Sequence, residues 1–428
     1  MLFTKYNIMS LFALVDCDNF YCSCERVFEP SLNNKPVAVL SNNDGCIIAR
    51  SQEVKDFGIK MGDPYYKVSK FLNAHNATVF SSNYELYGSM SQRVIRTLRT
   101  FSQNIEVYSI DECFVELSEN NVLSLEAISN DIVRRVKQWT GIPVKVGIAY
   151  TKTLAKAAAE LVKKQKIKIK YCVLTDVQKI KNELMTFPVE DIWGVGAATA
   201  NKLHRIGVKT ALKLINFDDE YIRNKYGVLL LRTVKELRGE SCYNLETVPE
   251  TRKSLCYSRS FSNSITKYSD LKESIVYYAS RASEKLRRDK LIARAVTVFV
   301  RTNFFNKKQP QYSNSATVTL PYSTGSNKII MEYAKNGLNK IFREGYFYKK
   351  SGIILSDLAD ENIIQPDLFI KSDKKDENLS NIMDEINMKF GKGSVQFAGE
   401  GISKKWDMSR NMLSKRYTND WNELLKIE

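Results

Sequence analysis

The chain has 428 residues, of which 43% are hydrophobic and 26% charged, values that predict several folded domains and exclude a globally disordered chain. Lys and Arg number 64 against 48 Asp and Glu, giving a net charge of +16. This excess favours a polyanionic partner, nucleic acid first and an anionic membrane surface second. The sequence contains no run of about 18 apolar residues, so it predicts no membrane span.

The first 164 residues predict a sheet of the ferredoxin-like type. Apolar runs predict its strands, and an Ala-rich body after Thr151, a suitable N-cap, predicts its last helix. The order β, α, β, β, α, β is typical of a ferredoxin-like sheet with helices on one face. The expected elements are strands over 11–15, 36–40 and 144–149, a hairpin over 105–117 that breaks at 111–112, and helices over 83–100, 124–139 and 152–164.

The rest of the chain predicts a helical segment followed by a mixed block rich in cations. A Gly-x-Gly turn interrupts the helical segment, and a polar, turn-prone stretch predicts a linker near the end. The expected elements are helices throughout 187–248, then strands over 295–300 and 316–320, helices over 269–288 and 327–344, and a linker over 371–380.

The eight cysteines are dispersed along the chain and predict reduced thiols in the cytoplasm rather than a disulfide framework. Cys22 and Cys24 could form half of a zinc site. Only two histidines, His75 and His204, are available, and no second pair has ligand spacing. The chemistry is therefore expected to depend on carboxylates, amines and hydroxyls.

Two acidic clusters carry the chemical argument. Asp16 follows a buried strand directly, and Asp111 and Glu112 lie at the break of the hairpin. If these strands are neighbours, three carboxylates converge at one sheet edge, where a divalent cation would relieve their repulsion. Oxygen ligands favour two Mg²⁺ ions, with Mn²⁺ as a substitute, the usual arrangement for in-line phosphoryl transfer. The alternative is that these are solvated acids at strand ends.

Several motifs resemble those of a known family. The stretches 16–21 (DCDNFY), 108–112 (YSIDE) and 146–153 (VGIAYTKT) are similar to the palm motifs of Y-family (translesion) DNA polymerases. The stretches 41–46 (SNNDGC) and 81–86 (SSNYEL) resemble the UmuC branch of that family. Gly399 to Gly401, Trp406 and residues 412–417 resemble the tail of this branch. The resemblance covers the chain from about residue 11 to its end.

The resemblance implies an α+β multidomain fold, a right-hand polymerase. It would have a ferredoxin-like palm, small fingers, a helical thumb with a helix-hairpin-helix, an α/β little finger and a C-terminal tail. The implied boundaries are 9–30 and 83–178 for the palm, 31–82 for the fingers, 179–250 for the thumb, 251–358 for the little finger, and 359–428 for a clamp-binding segment and the tail.

The resemblance also assigns roles to residues. Asp16, Asp111 and Glu112 would be the catalytic metal ligands, together with the backbone carbonyl of Cys17. Tyr21 falls on the steric gate, a ring beneath the sugar of the incoming nucleotide that would reject a 2′-hydroxyl.

The remaining nucleotide contacts implied by the resemblance are aromatic and basic. Phe20 stands beside the gate, although core packing explains it equally well. The basic side chains of Arg50, Lys55 and Lys163 would contact the triphosphate, and their alternative is a solvated basic face. Lys163 has the firmest register, eleven residues after Lys152.

DNA contacts are expected from the thumb and the little finger. Gly194 and Gly196 would let backbone N–H groups approach a phosphate at a helix N-terminus. Arg259 and Arg281 belong to a cation-rich block that would bind the phosphate backbone without reading sequence. Residues Gln365, Leu368 and Phe369 resemble a peptide that docks in the pocket of the sliding clamp.

The expected function is template-directed, error-prone addition of dNTPs to a primer 3′ end. The resemblance implies a cytoplasmic enzyme of the SOS response that works with primer-template DNA, a UmuD′-type dimer, the RecA filament and the sliding clamp. Two rivals stay open: a nucleotide cyclase with the same palm chemistry, and a catalytically inactive factor that binds DNA and the clamp. The basic block argues against the cyclase, and the three acids argue against the inactive factor.

Overall fold

The computed structural model describes residues 10–117, 124–164, 169–248, 250–362, 374–402, 404 and 406–425. The chain divides into two compact units. The first unit comprises Met1–Ser41, Gly45–Pro249 and Met412–Glu428, and the second comprises Asn42–Asp44 and Glu250–Asn411. Each unit has its own hydrophobic core.

The described residues contain both strands and helices. The strands are β1 (Leu11–Cys17), β2 (Val37–Leu40), β3 (Ile47–Arg50), β4 (Thr78–Ser81), β5 (Ile105–Val107), β6 (Glu112–Leu117), β7 (Val144–Ala149), β8 (Tyr171–Leu174), β9 (Ser254–Ile265), β10 (Leu291–Thr302), β11 (Ser313–Thr324) and β12 (Tyr348–Asp360). The helices are α1 (Phe20–Phe28), α2 (Gln52–Asp56), α3 (Tyr65–Ala74), α4 (Tyr84–Leu98), α5 (Leu125–Thr140), α6 (Lys152–Lys164), α7 (Val177–Thr186), α8 (Ala197–Arg205), α9 (Ala211–Ile215), α10 (Asp219–Tyr226), α11 (Val228–Leu237), α12 (Tyr268–Arg288), α13 (Asn327–Ile341) and α14 (Lys374–Phe390).

The first unit is built on a five-stranded sheet with the order β5-β6-β1-β7-β8. Its neighbours are antiparallel except for β7 and β8. β1 is buried on both faces: Leu11, Ala13 and Val15 share a core with α4 and α5, whereas Phe12 and Leu14 share a core with α6. Burial on both faces thus explains the continuous apolar run of this strand, as expected. The two helices of the ferredoxin-like order, α4 and α5, therefore pack on one face, as expected, and α6, which follows that order in the chain, covers the other face.

A glycine explains why α6 lies so close to the sheet. A Cβ atom on Gly147 in β7 would lie 2.2 Å from the carbonyl oxygen of Ala155 and 2.4 Å from the amide nitrogen of Ala159. The backbone of α6 therefore packs directly on β7. The Ala-rich face of α6, which has only small side chains, lies in the core on this side of the sheet. Thr151 caps α6, as predicted, by accepting a hydrogen bond from Leu154 N at 3.2 Å.

The rest of the first unit is a small sheet and a helical bundle. The small sheet has the order β3-β2-β4. The helices α7 to α11 form the bundle, and residues 187–248 are not helical throughout, because α11 ends at Leu237 and 241–248 contain no helix. Gly239, with φ of 93°, follows that helix end and favours its termination.

The second unit has a four-stranded antiparallel sheet with the order β11-β10-β12-β9, on which α12 and α13 pack. The expectation of a linker over 371–380 is wrong from 374 onward, where α14 begins, and 371–373 lie outside the described residues. Polar contacts that composition does not reveal hold this helix. Ser380 accepts a bond from Asn327 N at 3.2 Å, and Asp384 pairs with Arg287 at 2.8 Å.

Candidate active site

Three acidic residues lie at neighbouring strand ends on one edge of the large sheet. Asp16 lies near the end of β1 directly opposite Glu112, the first residue of β6. The N–H of Cys17 donates to the carbonyl oxygen of Asp111 at 2.9 Å, which brings the residue before β6 alongside the end of β1. β1 and β6 are neighbours in the sheet, so the condition on which the prediction depended is met.

Burial and like charge govern the electrostatics of this edge. The pKa of Asp16 is raised to about 6, chiefly by burial and also by the nearby charges of Glu112 and Asp111, against the lowering effect of Lys163. Lys163 Nζ lies 3.3 Å from Asp16 Oδ2. The ionised form of Asp16 is therefore less stable at this edge than it would be in water.

The other two acids have their own partners. Glu112 Oε2 lies 3.0 Å from Lys156 Nζ, and Asp111 Oδ1 accepts a hydrogen bond from Ser109 Oγ at 2.6 Å. Lys156 also lies over the ring of Tyr108, 4.0 Å from its centroid. Our reading of the sequence missed Lys156 and Ser109. The spacing of Lys156, seven residues before Lys163 and thus on the same helix face, was the available signal.

The donor set suits a hard divalent cation. The acids offer only oxygen atoms, which favours Mg²⁺ or Mn²⁺ over a thiophilic metal. Within the described ranges, no three Asp, Glu, His or Cys side chains are close enough to hold a metal ion as they stand. Each carboxylate has a partner of its own instead, a lysine or the Ser109 hydroxyl. A bound cation would replace the two lysines.

A cavity of about 350 Å³ opens beside the carboxylates. It brings together most of the predicted metal and nucleotide residues, which lie in separate parts of the sequence. Those that line it are Asp16, Cys17, Phe20, Tyr21, Arg50, Lys55, Asp111 and Lys163.

Two of the cations of this cavity are held by neutral groups. Lys55 Nζ donates to Asn19 Oδ1 at 2.5 Å, and Arg50 Nη1 donates to the carbonyl oxygen of Ile59 at 2.6 Å. Among the described residues, the buried Nε of Arg50 has no hydrogen-bond partner. Burial lowers the pKa of Lys55, and the charges of Lys163 and Arg50 lower it further. Cations crowded together in this way favour an anionic ligand.

The aromatic residues at the start of α1 differ in their surroundings. Tyr21 is stacked on Tyr87 with ring centroids 4.4 Å apart and an interplanar angle of 13°, and Tyr84 meets it edge-on at 6.0 Å. Burial raises the pKa of Tyr21 to about 12. Phe20 is only 4% exposed and belongs to the core of the first unit, in line with the packing alternative.

The glycines predicted to bind DNA lie at an exposed helix start. Gly196 is the N-cap of α8, and Gly194 adopts a φ of 89°, which other residues rarely adopt. Both glycines are exposed, so their backbone is open to a ligand.

The two arginines differ in how far their side chains are already engaged. Arg259 is half-buried over the ring of Tyr257. Arg281 is mostly buried, 2.6 Å from Glu284 and 3.6 Å from Glu400, which favours a structural role over a phosphate contact.

The clamp-binding prediction at Gln365, Leu368 and Phe369 lies outside the described residues. In the part of the chain that the structure describes, no helix is long and apolar enough to cross a membrane.

Family models match most of the chain. Residues 15–160 match the impB/mucB/samB family, and residues 252–368 match the C-terminal domain of that family. Residues 377–427 match a model described only as a domain of unknown function (DUF4113).

Curated relatives match the chain along almost its whole length. Protein ImpB of Salmonella typhimurium is 45% identical over 97% of this chain and 99% of that protein. Protein UmuC of Salmonella typhimurium (strain LT2) is 42% identical over 98% of this chain and 100% of that protein. A DNA polymerase IV of Bacillus velezensis is 27% identical over 92% of this chain and 94% of that protein.

The fold also has a counterpart among solved structures. A Y-family DNA polymerase chimera matches with a TM-score of 0.67 at 19% identity, and the match covers 82% of this chain and 99% of the chimera. This likeness confirms the fold predicted from the sequence. The identities of 40% or more over nearly full length settle the family: the chain belongs to the impB/mucB/samB family, the UmuC type of Y-family DNA polymerases.

Proposed function

We propose that this chain is a template-directed, error-prone DNA polymerase that extends primers across damaged bases in SOS mutagenesis. DNA-directed DNA polymerase activity, template binding and a need for divalent metal are properties of the family to which the chain belongs. The observation that carries the assignment of the site is the convergence of Asp16, Asp111 and Glu112 beside a cavity lined with cations.

Asp16, Asp111, Glu112 and the carbonyl of Cys17 would hold two Mg²⁺ ions, for which Mn²⁺ could substitute. Bound there, the ions would supply the charge that activates the primer hydroxyl and stabilises the departing pyrophosphate. The chain's own contribution is to keep these acids oriented: the strand pairing and the Ser109 hydroxyl fix the carboxylates before the nucleotide binds.

The cavity residues bind and select the incoming dNTP in this proposal. The three cations that line the cavity, Arg50, Lys55 and Lys163, would neutralise the triphosphate, and the unpartnered Nε of Arg50 is one donor available to it. The stacked ring of Tyr21 acts as the steric gate against a ribose 2′-hydroxyl. The open backbone at Gly194 and Gly196 binds duplex phosphates.

The proposed partners follow the family resemblance. They are a UmuD′-type dimer, the RecA filament and, through Gln365, Leu368 and Phe369, the sliding clamp. The protein would act in the cytoplasm, where reduced cysteines and DNA are found. Neither the cyclase nor the inactive DNA-binding factor is favoured, because the nearly full-length relatives belong to a polymerase family.

The test is primer extension with four dNTPs and Mg²⁺, on intact and abasic templates, with the accessory proteins added if the chain alone is inactive. Glu112→Gln should abolish extension. Glu116→Gln is the matched control, because Glu116 lies on the same strand and bonds only Asn104 among the described residues. Equal activity of Glu112→Gln and wild type would refute the assignment of the site.

A further inference from the structure

The C-terminal tail returns to the first unit and adds to its small sheet. Residues 412–417, here called the docking segment, begin with a parallel bridge between Leu413 and Ser81, the last residue of β4. Ser81 N donates to the carbonyl oxygen of Met412 at 2.8 Å, and Met412 N donates to Ser81 Oγ at 3.0 Å. The docking segment thus satisfies the backbone of a strand edge.

A buried asparagine forms hydrogen bonds with the docking segment. The side-chain amide of Asn83 donates to Ser414 Oγ at 3.0 Å and contacts the carbonyl oxygens of Ser414 and Lys415 at 3.3 Å. Its Oδ1 caps α4 by accepting from Leu86 N at 3.2 Å. One side chain therefore links the start of α4 to the tail. Further along, the ring of Tyr417 stacks on Phe28 with centroids 4.7 Å apart.

A hydrogen-bonded chain continues from the docking segment into the core. Ser414 Oγ donates to Glu25 Oε1 at 3.1 Å, and Tyr87 Oη donates to the same oxygen at 2.6 Å. Glu25 is 2% exposed and Tyr87 is fully buried. A carboxylate so buried needs its donors, because an unsatisfied charge costs far more than an unsatisfied neutral group. The tail thus supplies one of the two donors described for Glu25.

The series of hydrogen bonds ends at Tyr87, which packs against a residue that lines the nucleotide cavity. Tyr87, whose hydroxyl is fixed by Glu25, presents its ring face to Tyr21 at 4.4 Å. Tyr21 lines the cavity, and neither Glu25 nor the docking segment does. The path from the tail to the cavity therefore runs through Ser414, Glu25 and Tyr87 to Tyr21.

We propose that the docking segment is a positioning element for sugar selection: Ser414 fixes Glu25, which fixes Tyr87, which holds the Tyr21 ring where it contacts the sugar of the incoming nucleotide. This inference rests on the steric-gate role given to Tyr21 in the proposed function. It gives a task to part of the segment that matches a domain of unknown function. A gate excludes a single oxygen atom only if its ring cannot retreat, so a fixed support under the ring sets selectivity.

The test measures kcat/KM for a dNTP and for the matching rNTP in full-length protein, under conditions in which wild type extends a primer. Ser414→Ala and Tyr87→Phe should each lower dNTP selectivity on the order of fivefold, and Ser414→Thr, which keeps the hydroxyl, should retain it. Tyr21→Ala should lower selectivity by at least about 100-fold. Ser409→Ala, a tail serine whose hydroxyl makes no bond in the described contacts, is the matched control and should match wild type.

A double variant separates positioning from general stability. Adding Ser414→Ala to Tyr21→Ala should change selectivity no further, because the ring that the tail supports is gone. Unchanged selectivity of both Ser414→Ala and Tyr87→Phe, or an equal loss in the Tyr21→Ala background, would overturn the inference while leaving the gate intact. Unchanged selectivity of Tyr21→Ala would instead refute the gate itself.

Discussion

Replacing Gly147 by alanine should displace the helix that carries both site lysines. The added Cβ would lie 2.2 Å from the carbonyl oxygen of Ala155 and 2.4 Å from the amide nitrogen of Ala159. Both are backbone atoms, so no side-chain rotation can relieve the contact. Ordinary contacts need about 3.5 Å, and α6 must therefore move by about 1 Å relative to β7.

Two effects of this displacement can be estimated. Overpacking of this kind costs about 1–3 kcal/mol of unfolding free energy. Lys156 and Lys163 move with the helix and away from Glu112 and Asp16. Because a misplacement of about 1 Å can lower a rate about 100-fold, activity should fall by more than the loss of folded protein explains.

Chemical unfolding and primer extension together measure both effects. Gly88→Ala is the matched control, since Gly88 lies within α4 and a Cβ there would meet nothing within 4 Å. It should stabilise the protein by about 0.5–1 kcal/mol, as expected for Gly to Ala in a helix, and keep its activity. A Gly147→Ala protein as stable and active as wild type would refute the packing argument.

Three further predictions concern charged side chains. Lys163→Met should raise the KM for dNTPs about tenfold. Lys164→Met is its control and should leave the KM unchanged, because Lys164 pairs with an acid outside the cavity. Equal effects of the two substitutions would refute the phosphate role of Lys163. Burial raises the pKa of Glu25 from 4.5 to about 7. The folded state therefore binds more protons, and the contribution of Glu25 to the unfolding free energy should fall by up to about 3 kcal/mol as the pH rises through that window. In urea titrations Glu25→Gln should remove this contribution and leave that of Asp16, whose pKa is also raised. Arg281→Ala should destabilise the second unit by about 3 kcal/mol, because it leaves Glu400 buried without its cation. A reduced salt slope of DNA binding at unchanged stability would instead support the phosphate contact.

The sequence predicted the elements that depend on local pattern. The strands that hold the acids, the hairpin and the cap at Thr151 follow from apolar runs and turn residues, and the ferredoxin-like order of the elements allowed β1 and β6 to be neighbours. The face covered by α6 could not be predicted this way. It depends on the close approach of α6 to β7 at Gly147. The positions of these residues in the sequence do not show how close they lie in the fold.

Other features of the site depend on pairing between distant segments. Lys55 meets Asn19 across 36 residues, and Ser414 meets Glu25 across 389. Composition assigned 371–380 to a linker because its residues are polar, but polar partners on α12 and α13 are what hold α14. A sequence shows which side chains are available for such contacts and not which of them meet.

The central claim is that metal-dependent nucleotidyl transfer depends on the acids at the ends of β1 and β6. It is tested most directly by single-nucleotide extension of a primer in Mg²⁺ by wild type and by Asp111→Ala, with Asp131→Ala as the control. Asp131 lies on α5, where it pairs with Arg134 and Arg135. We expect extension by wild type and by Asp131→Ala, abolished by chelation of the metal, and no extension by Asp111→Ala. Extension by Asp111→Ala at the wild-type rate would contradict it.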